Sequence, residues 1–171
     1  MPISAIMKAS VSISQVGNNA FGGPSFSAAL EFSQAFSDGV GLNQANIAYI
    51  AERTVASGAN DDIDLSGVLS DALGASIVAA ELCGIFVHNK PKTGAANTTN
   101  LTIGAGSNPM IGFLGAAHTI GPIRPGGVFM LAAGDTAGIG AVTAATGDIL
   151  RIANSSGAQN KYLIAILART S

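Results

Sequence analysis

Three carboxylates, Asp61, Asp62 and Asp64, stand beside Asn60 and form the acidic cluster of this chain. Carboxylates grouped on a loop suit Ca²⁺, a hard cation that takes several oxygen ligands. The pattern of a helix-flanked calcium loop is missing around Asp61–Asp64, so the cluster reads as a solvated turn leading into a strand or helix. His88 and His118 are far apart, with no Cys or carboxylate at ligand spacing, whereas zinc needs three or four such ligands. No Gly-x-Ser-x-Gly occurs. Lys92-Thr93-Gly94 matches one box of the penicillin-binding enzymes but has no Ser-x-x-Lys to accompany it. Gly39-Val40-Gly41, Gly104-Ala105-Gly106 and Gly138-Ile139-Gly140 lack the third Gly and the Lys-Ser or Lys-Thr of phosphate loops, and read as turns and tight strand ends. No catalytic, cofactor-binding or metal residue is assigned, no cofactor is implied, and no enzyme is expected.

Composition points the same way. The 171 residues suit one domain with a sizeable core. Hydrophobic residues make up 48%, charged residues only 11%, and Gly contributes 22 positions. A net charge of −2, with Lys and Arg scattered singly, offers no basic face for nucleic acid and no polybasic membrane signal. Weak charge leaves a surface of Ser, Thr, Asn, Ala and Gly, which tolerates close neutral packing against other subunits. The single Cys83 excludes an intrachain disulfide. Within Leu82–Val87 it reads as a small hydrophobe, in keeping with folding in a reducing compartment. The sequons at Asn97, Asn100 and Asn154 read as polar loop residues. No basic segment leads into an apolar stretch at the N-terminus, and Ile77–Val87 is too short to span a bilayer, so a soluble protein is expected.

Periodicity favours strands. Ser10–Ser14 alternates, as does Leu30–Ser33, with Phe36 continuing the Phe32 face. Asn46–Val55 places Ile47, Tyr49, Ala51 and Arg53 on one side. Ile85–Asn89, Leu101–Ala105, Val128–Ala132, Ile149–Ala153 and Tyr162–Ala168 are further runs. Asp38-Gly39, Ser66-Gly67, Arg124–Gly127, Gly134-Asp135 and Asn154–Gly157 punctuate them as turns. The last two runs predict a hairpin around Asn154–Asn160. One short helix finds support over Leu65–Leu82, from Leu65, Leu69, Leu73 and Ile77 at every fourth position, against Gly67 and Gly74. The expectation is an all-β, single-domain, jelly-roll-like β-sandwich over 25–171. Residues 1–24, ending in Gly22-Gly23-Pro24, form an N-terminal arm or a first strand.

Phe36–Ala45, Ile63–Gly67, Asp71–Gly74, Ile85–Asn89, Pro125–Phe129, Gly147–Asn154 and Tyr162–Ile166 occur in an order that resembles small virion proteins of tailed bacteriophages. The resemblance spans roughly Phe26 to Ser171 and rests on turn and strand segments. It implies a capsid decoration or cement protein, made in the host cytoplasm and placed on the virion surface. Its implied partners are the major capsid protein and further copies of itself, often as a homotrimer. The alternatives are a tail, baseplate or head-fibre component and, from another class, a carbohydrate-binding jelly roll. The absence of Trp and the two Tyr disfavour the last, since sugar sites lean on aromatic faces. The segments Pro2–Gly23 and Lys90–Asn100 are the expected contact regions.

Overall fold

A computed structural model describes residues 2–18, 21–104, 106–115 and 118–170. Among these residues thirteen strands follow one another: β1 (Ser4–Val16), β2 (Ser25–Ser37), β3 (Ile47–Val55), β4 (Asn60–Asp64), β5 (Ser66–Ser70), β6 (Ser76–Val78), β7 (Glu81–His88), β8 (Leu101–Gly104), β9 (Thr119–Ile123), β10 (Val128–Ala132), β11 (Gly140–Ala141), β12 (Ile149–Asn154) and β13 (Asn160–Arg169). The described residues contain no helix.

Two sheets form the body. One is ordered β10-β7-β13-β3, with β11 also on β7, and the other β4-β12-β8-β9. Strand alternation explains their packing: Tyr162, Ile164 and Ile166 of β13 and Ile85 and Val87 of β7 point inward. They meet Leu150 and Ile152 of β12 and Leu101 and Ile103 of β8 in one core. Neighbours across each sheet show how the chain is wound. β3 and β4 lie beside β13 and β12, while β7 and β8 lie beside β10 and β9. Both halves cross from one sheet to the other, which is the winding of a jelly roll.

That winding corrects one expectation. β12 and β13 do not form a hairpin; they belong to opposite sheets, and Asn154–Asn160 is an arch between them. The Asn154 amide directs the crossing by donating to the carbonyls of Ala56 (3.0 Å) and Ala158 (2.8 Å). The β7–β8 crossing beside it is tied by a second set of amides. Asn89 donates to Thr99 O (2.9 Å) and Ile123 O (2.8 Å), and Asn160 donates to Asn89 Oδ1 (2.9 Å). Asn89 and Asn160 are wholly buried. Amides there stabilise the fold only because nearly every polar atom finds a partner.

The helix over Leu65–Leu82 is also not formed; β5, β6 and the start of β7 occupy it. Gly67 (φ 140°) and Gly74 (φ 88°) adopt left-handed backbone, which breaks helical continuity. Asp71 Oδ1 accepts from Leu73 N and Ala75 N and closes the turn between β5 and β6. Leu73, needed on the helical stripe, is 72% exposed.

Two arginines tie the structure together. Arg53 on β3 grips Asp61 on β4 with both arms (2.7 and 2.6 Å), and the Tyr162 hydroxyl donates to the same carboxylate (2.7 Å). The Asp61 hydrogen bond holds the guanidinium pKa above its ordinary value. Burial first, and the Asp61 hydrogen bond second, push the Tyr162 phenol far above its usual range. Arg169 ends β13 with no exposed surface. It pairs with Glu81 and donates to Gly41 O (2.7 Å) and Asp135 O (2.6 Å).

Replacing Arg169 by Met would leave those carbonyls and Glu81 without their donor. A loss of about 3–5 kcal/mol is expected in urea unfolding; a loss under 1 kcal/mol would show that the junction is not structural. Because the folded state raises the Tyr162 pKa, the phenol favours folding fully below the unfolded value of about 10, and that contribution fades as pH rises beyond it. In Tyr49→Phe, where Tyr162 is the sole phenol, phenolate absorbance should appear only with unfolding. A reversible titration near pH 10 in the folded variant would contradict this.

Candidate assembly interface

β1 and β2 pair antiparallel in unbroken register, from Ser4 opposite Ser37 to Val16 opposite Ser25. Strands of 13 residues reach about 40 Å at roughly 3.3 Å per residue. Residues directly opposed share a face. One face carries Ala5 with Phe36, Met7 with Gln34, Ala9 with Phe32, Val11 with Leu30, Ile13 with Ala28, and Gln15 with Phe26. The other carries Ser4 with Ser37, Lys8 with Ser33, Ser10 with Glu31, Ser12 with Ala29 and Ser14 with Ser27, with Ile6 and Val16 as exposed apolar members near its two ends. The ribbon is therefore amphipathic, and its two charged side chains lie on the polar face.

Only the base of the apolar face is covered. Met7 and Phe36 are buried with Ala45, Cys83 and Leu167 in a second, smaller core on the outside of the β10-β7-β13-β3 sheet. Phe86, Met130 and Ala132 pack around it. Gly84 makes room here, because a Cβ at that position would displace Met7 Sδ from its seat on the sheet. Cys83 acts as the small hydrophobe expected, and burial pushes its thiol pKa up. Beyond the base the stripe meets solvent: Leu30 is 74% exposed, Phe26 60%, Val11 54% and Ile13 54%.

The same sheet presents a second apolar surface. Register aligns Ile50, Ala165, Phe86 and Met130 in a row across β3, β13, β7 and β10. Ile50 is exposed, and Ala165, Phe86 and Met130 are half-buried. In the adjoining row are Glu52, Leu163, His88 and Val128. A cleft of about 400 Å³ lies among Ile50, Glu52, Phe86, Lys92, Leu163 and Ala165. Another of about 290 Å³ separates β1 from Phe86, Met130, Ala165 and Leu167. We call this surface the outer shelf.

The residues singled out for chemistry fall elsewhere and do not converge. Asn60–Asp64 is a strand, not a turn, so alternation sends its carboxylates to different partners. Asp61 meets Arg53 and Tyr162, whereas Asp62 pairs with Arg151 (2.6 Å), which holds its pKa below the ordinary carboxylate value. Asp64 accepts from Ser66 N (2.8 Å). Among the described residues, no three His, Cys, Asp or Glu side chains come together as metal ligands. His88 sits on the shelf, edge-on to Phe86 at 6.1 Å between ring centroids, while His118 is an exposed loop residue before β9. Asn154 is not a surface loop residue but a buried strand end. The Lys90–Asn100 loop is anchored at both ends. Lys92 N donates to Glu52, and Asn97 Nδ2 donates to Asn89 Oδ1 (2.8 Å) and Lys161 O (2.7 Å). Thr93–Ala96 between them are exposed.

The boundary at residue 24 falls in the turn of the ribbon, so the arm is two-stranded and continues through Ser37. Both strands are readable separately, Ser10–Ser14 in β1 and Leu30–Phe36 in β2. The unread signal was their relation. Apolar residues at odd positions from Ala5 to Ile13 and at even positions from Phe26 to Phe36 mirror each other about Gly17–Pro24.

Comparison with family models, with curated proteins and with solved structures returns no match. At concentrations low enough to keep single chains apart, Leu30→Ser with Phe26→Ser should leave the melting temperature within about 3 °C, since surface changes are usually small, while sharply reducing binding of an apolar fluorescent dye. A large drop in melting temperature would mean that the distal stripe helps hold the body.

Proposed function

We propose that this protein is a non-enzymatic structural component of a tailed-phage virion, which decorates and cements the capsid by bridging major capsid subunits. The observation that carries the reading is the long amphipathic ribbon projecting from a rigid jelly-roll body. A ribbon of this kind reaches well beyond its own domain and offers contact area, not chemistry. Support also comes from the sequence resemblance, whose segments occupy the framework. Phe36–Ala45 joins ribbon to body, Gly147–Asn154 contains β12, and Tyr162–Ile166 lies in β13. Jelly rolls serve many unrelated roles, so the fold by itself adds only analogy.

The energetics suit such a role. A subunit that binds only the assembled shell stabilises that shell by mass action. Contacts repeated by symmetry reinforce one another through effective concentration. A low charge fraction permits dense, neutral packing, and no titratable group has to be held ready for reaction.

Quantitative mass spectrometry of purified particles tests the reading. The expected result is one copy per capsid subunit, or one per few. Shells stripped of the protein should also disassemble at a lower temperature and recover when it is added back. A handful of copies per particle would place it in a tail or head fibre, and absence from particles would overturn the proposal.

A further inference from the structure

We propose that each copy of this chain lays the free apolar face of its β1–β2 ribbon across the outer shelf of a second copy. The inference deepens the assembly reading by naming one partner, and it concerns the free protein before any shell is met.

Four observations lead there. A two-stranded ribbon is marginal in water without something covering its apolar face. Here that face runs uncovered beyond Met7 and Phe36, with Leu30 and Phe26 mostly in solvent. Such a stripe has to be covered as soon as the chain folds, and another copy is the molecule always present at that moment. A monomer that left it open would be prone to aggregate.

Second, stripe and shelf match in chemistry. The stripe bears no charged side chain, because Lys8 and Glu31 lie on the opposite face. The shelf is apolar along Ile50, Phe86, Leu163 and Ala165, with Glu52 and Lys92 at its rim. A strongly charged partner such as nucleic acid finds no counterpart on either surface.

Third, the shapes correspond. Side chains on one face of a strand recur roughly every 6.6 Å, two residues apart. Phe26, Leu30 and Phe32 therefore form a row of bulky projections. The shelf offers a cleft of about 400 Å³ beside Phe86 to receive them, while the 290 Å³ cleft on the β1 side is bounded by the chain's own Ala5–Lys8.

Fourth, the areas add up only when both surfaces are used. Five large exposed side chains, from Val11 to Phe32, present on the order of 500 Å². Specific interfaces need about 800 Å² per partner. A copy that gives its stripe and receives another on its shelf reaches that range, whereas either surface alone falls short. The ribbon cannot fold back onto its own shelf. Its base is held by Met7, Phe36 and the Arg169 junction, and its register is unbroken to the tip. The two contacts add up within one interface when two copies exchange ribbons reciprocally about a two-fold axis, each stripe lying on the other copy's shelf.

The test uses the full chain, purified without shells. Leu30→Cys, Leu163→Cys and the double variant are treated with a short flexible bis-maleimide. Buried Cys83 serves as an unreactive background. The double variant should yield covalent oligomers, and each single variant should not. By light scattering the unmodified protein should be oligomeric, and both Leu30→Asp and Leu163→Asp should shift it to a single-chain mass with the folded circular-dichroism spectrum retained. Efficient crosslinking of Leu30→Cys alone would mean that ribbons pair with each other, which overturns the proposal. So would a monomeric unmodified protein at tens of micromolar. Loss of shell binding with crosslinking intact would count against the cement reading only.

Discussion

The architecture depends on one buried guanidinium. Arg169 has no contact with water and is surrounded by Glu81 and the carbonyls of Gly41, Gln44 and Asp135. Gly41 and Gln44 belong to the link between ribbon and body, and Asp135 to the loop after β10. One planar group with several fixed donors therefore joins three otherwise separate segments. Lys could not do this, having a single point charge in place of a fork. Asn43 N donates to Gly134 O (2.7 Å) and reinforces the same junction. The direction in which the ribbon leaves the body follows from this cluster, because across the link Ser37 N donates to Asn43 O (3.0 Å) and Ala45 N donates to Ser37 O (2.9 Å).

Body and ribbon obey different physics. In the body, two faces of alternating apolar side chains meet in a continuous core, and burial of that area stabilises the jelly roll. In the ribbon, alternation is equally regular, yet beyond the base no second layer exists. The same pattern that makes a core in one place makes an uncovered surface in the other. Gly84 connects the two regimes. By omitting a Cβ it lets Met7 sink onto the sheet, so that the ribbon starts from a packed base.

The buried polar side chains hold layers and crossings in position. Arg53 and Asp61 bind β3 of one sheet to β4 of the other, with Tyr162 completing the carboxylate's partners. Asn89, Asn97, Asn154 and Asn160 satisfy backbone groups where the chain crosses between sheets. A crossing exposes carbonyls that no ladder can use, and neutral amides meet them without the desolvation cost of a charge. Each of these groups is thereby engaged in holding a crossing or a sheet-to-sheet tie.

Strand identity was largely legible in the sequence, because apolar runs, alternation and turn residues are local properties: Val128–Ala132 is a strand where a bounded apolar run predicts one, and β3 (Ile47–Val55) lies where the alternation of Asn46–Val55 predicts it. The all-β class and the burial of Cys83 follow from the same local reasoning. Partnership between strands was not legible. Ile149–Ala153 and Tyr162–Ala168 look like a hairpin because they are adjacent, and only the arch at Asn154 assigns them to opposite sheets. Leu65–Leu82 carries a helical spacing that Gly67 and Gly74 override once their left-handed backbone is set by the surrounding fold. Asp61 and Asp62 are neighbours in sequence but face different partners, since a strand turns successive side chains to opposite sides. The apolar stripe belongs to both categories. Its residues were readable as two alternating runs, but their union on one uncovered face exists only through pairing across Gly17–Pro24, a contact that local periodicity does not encode.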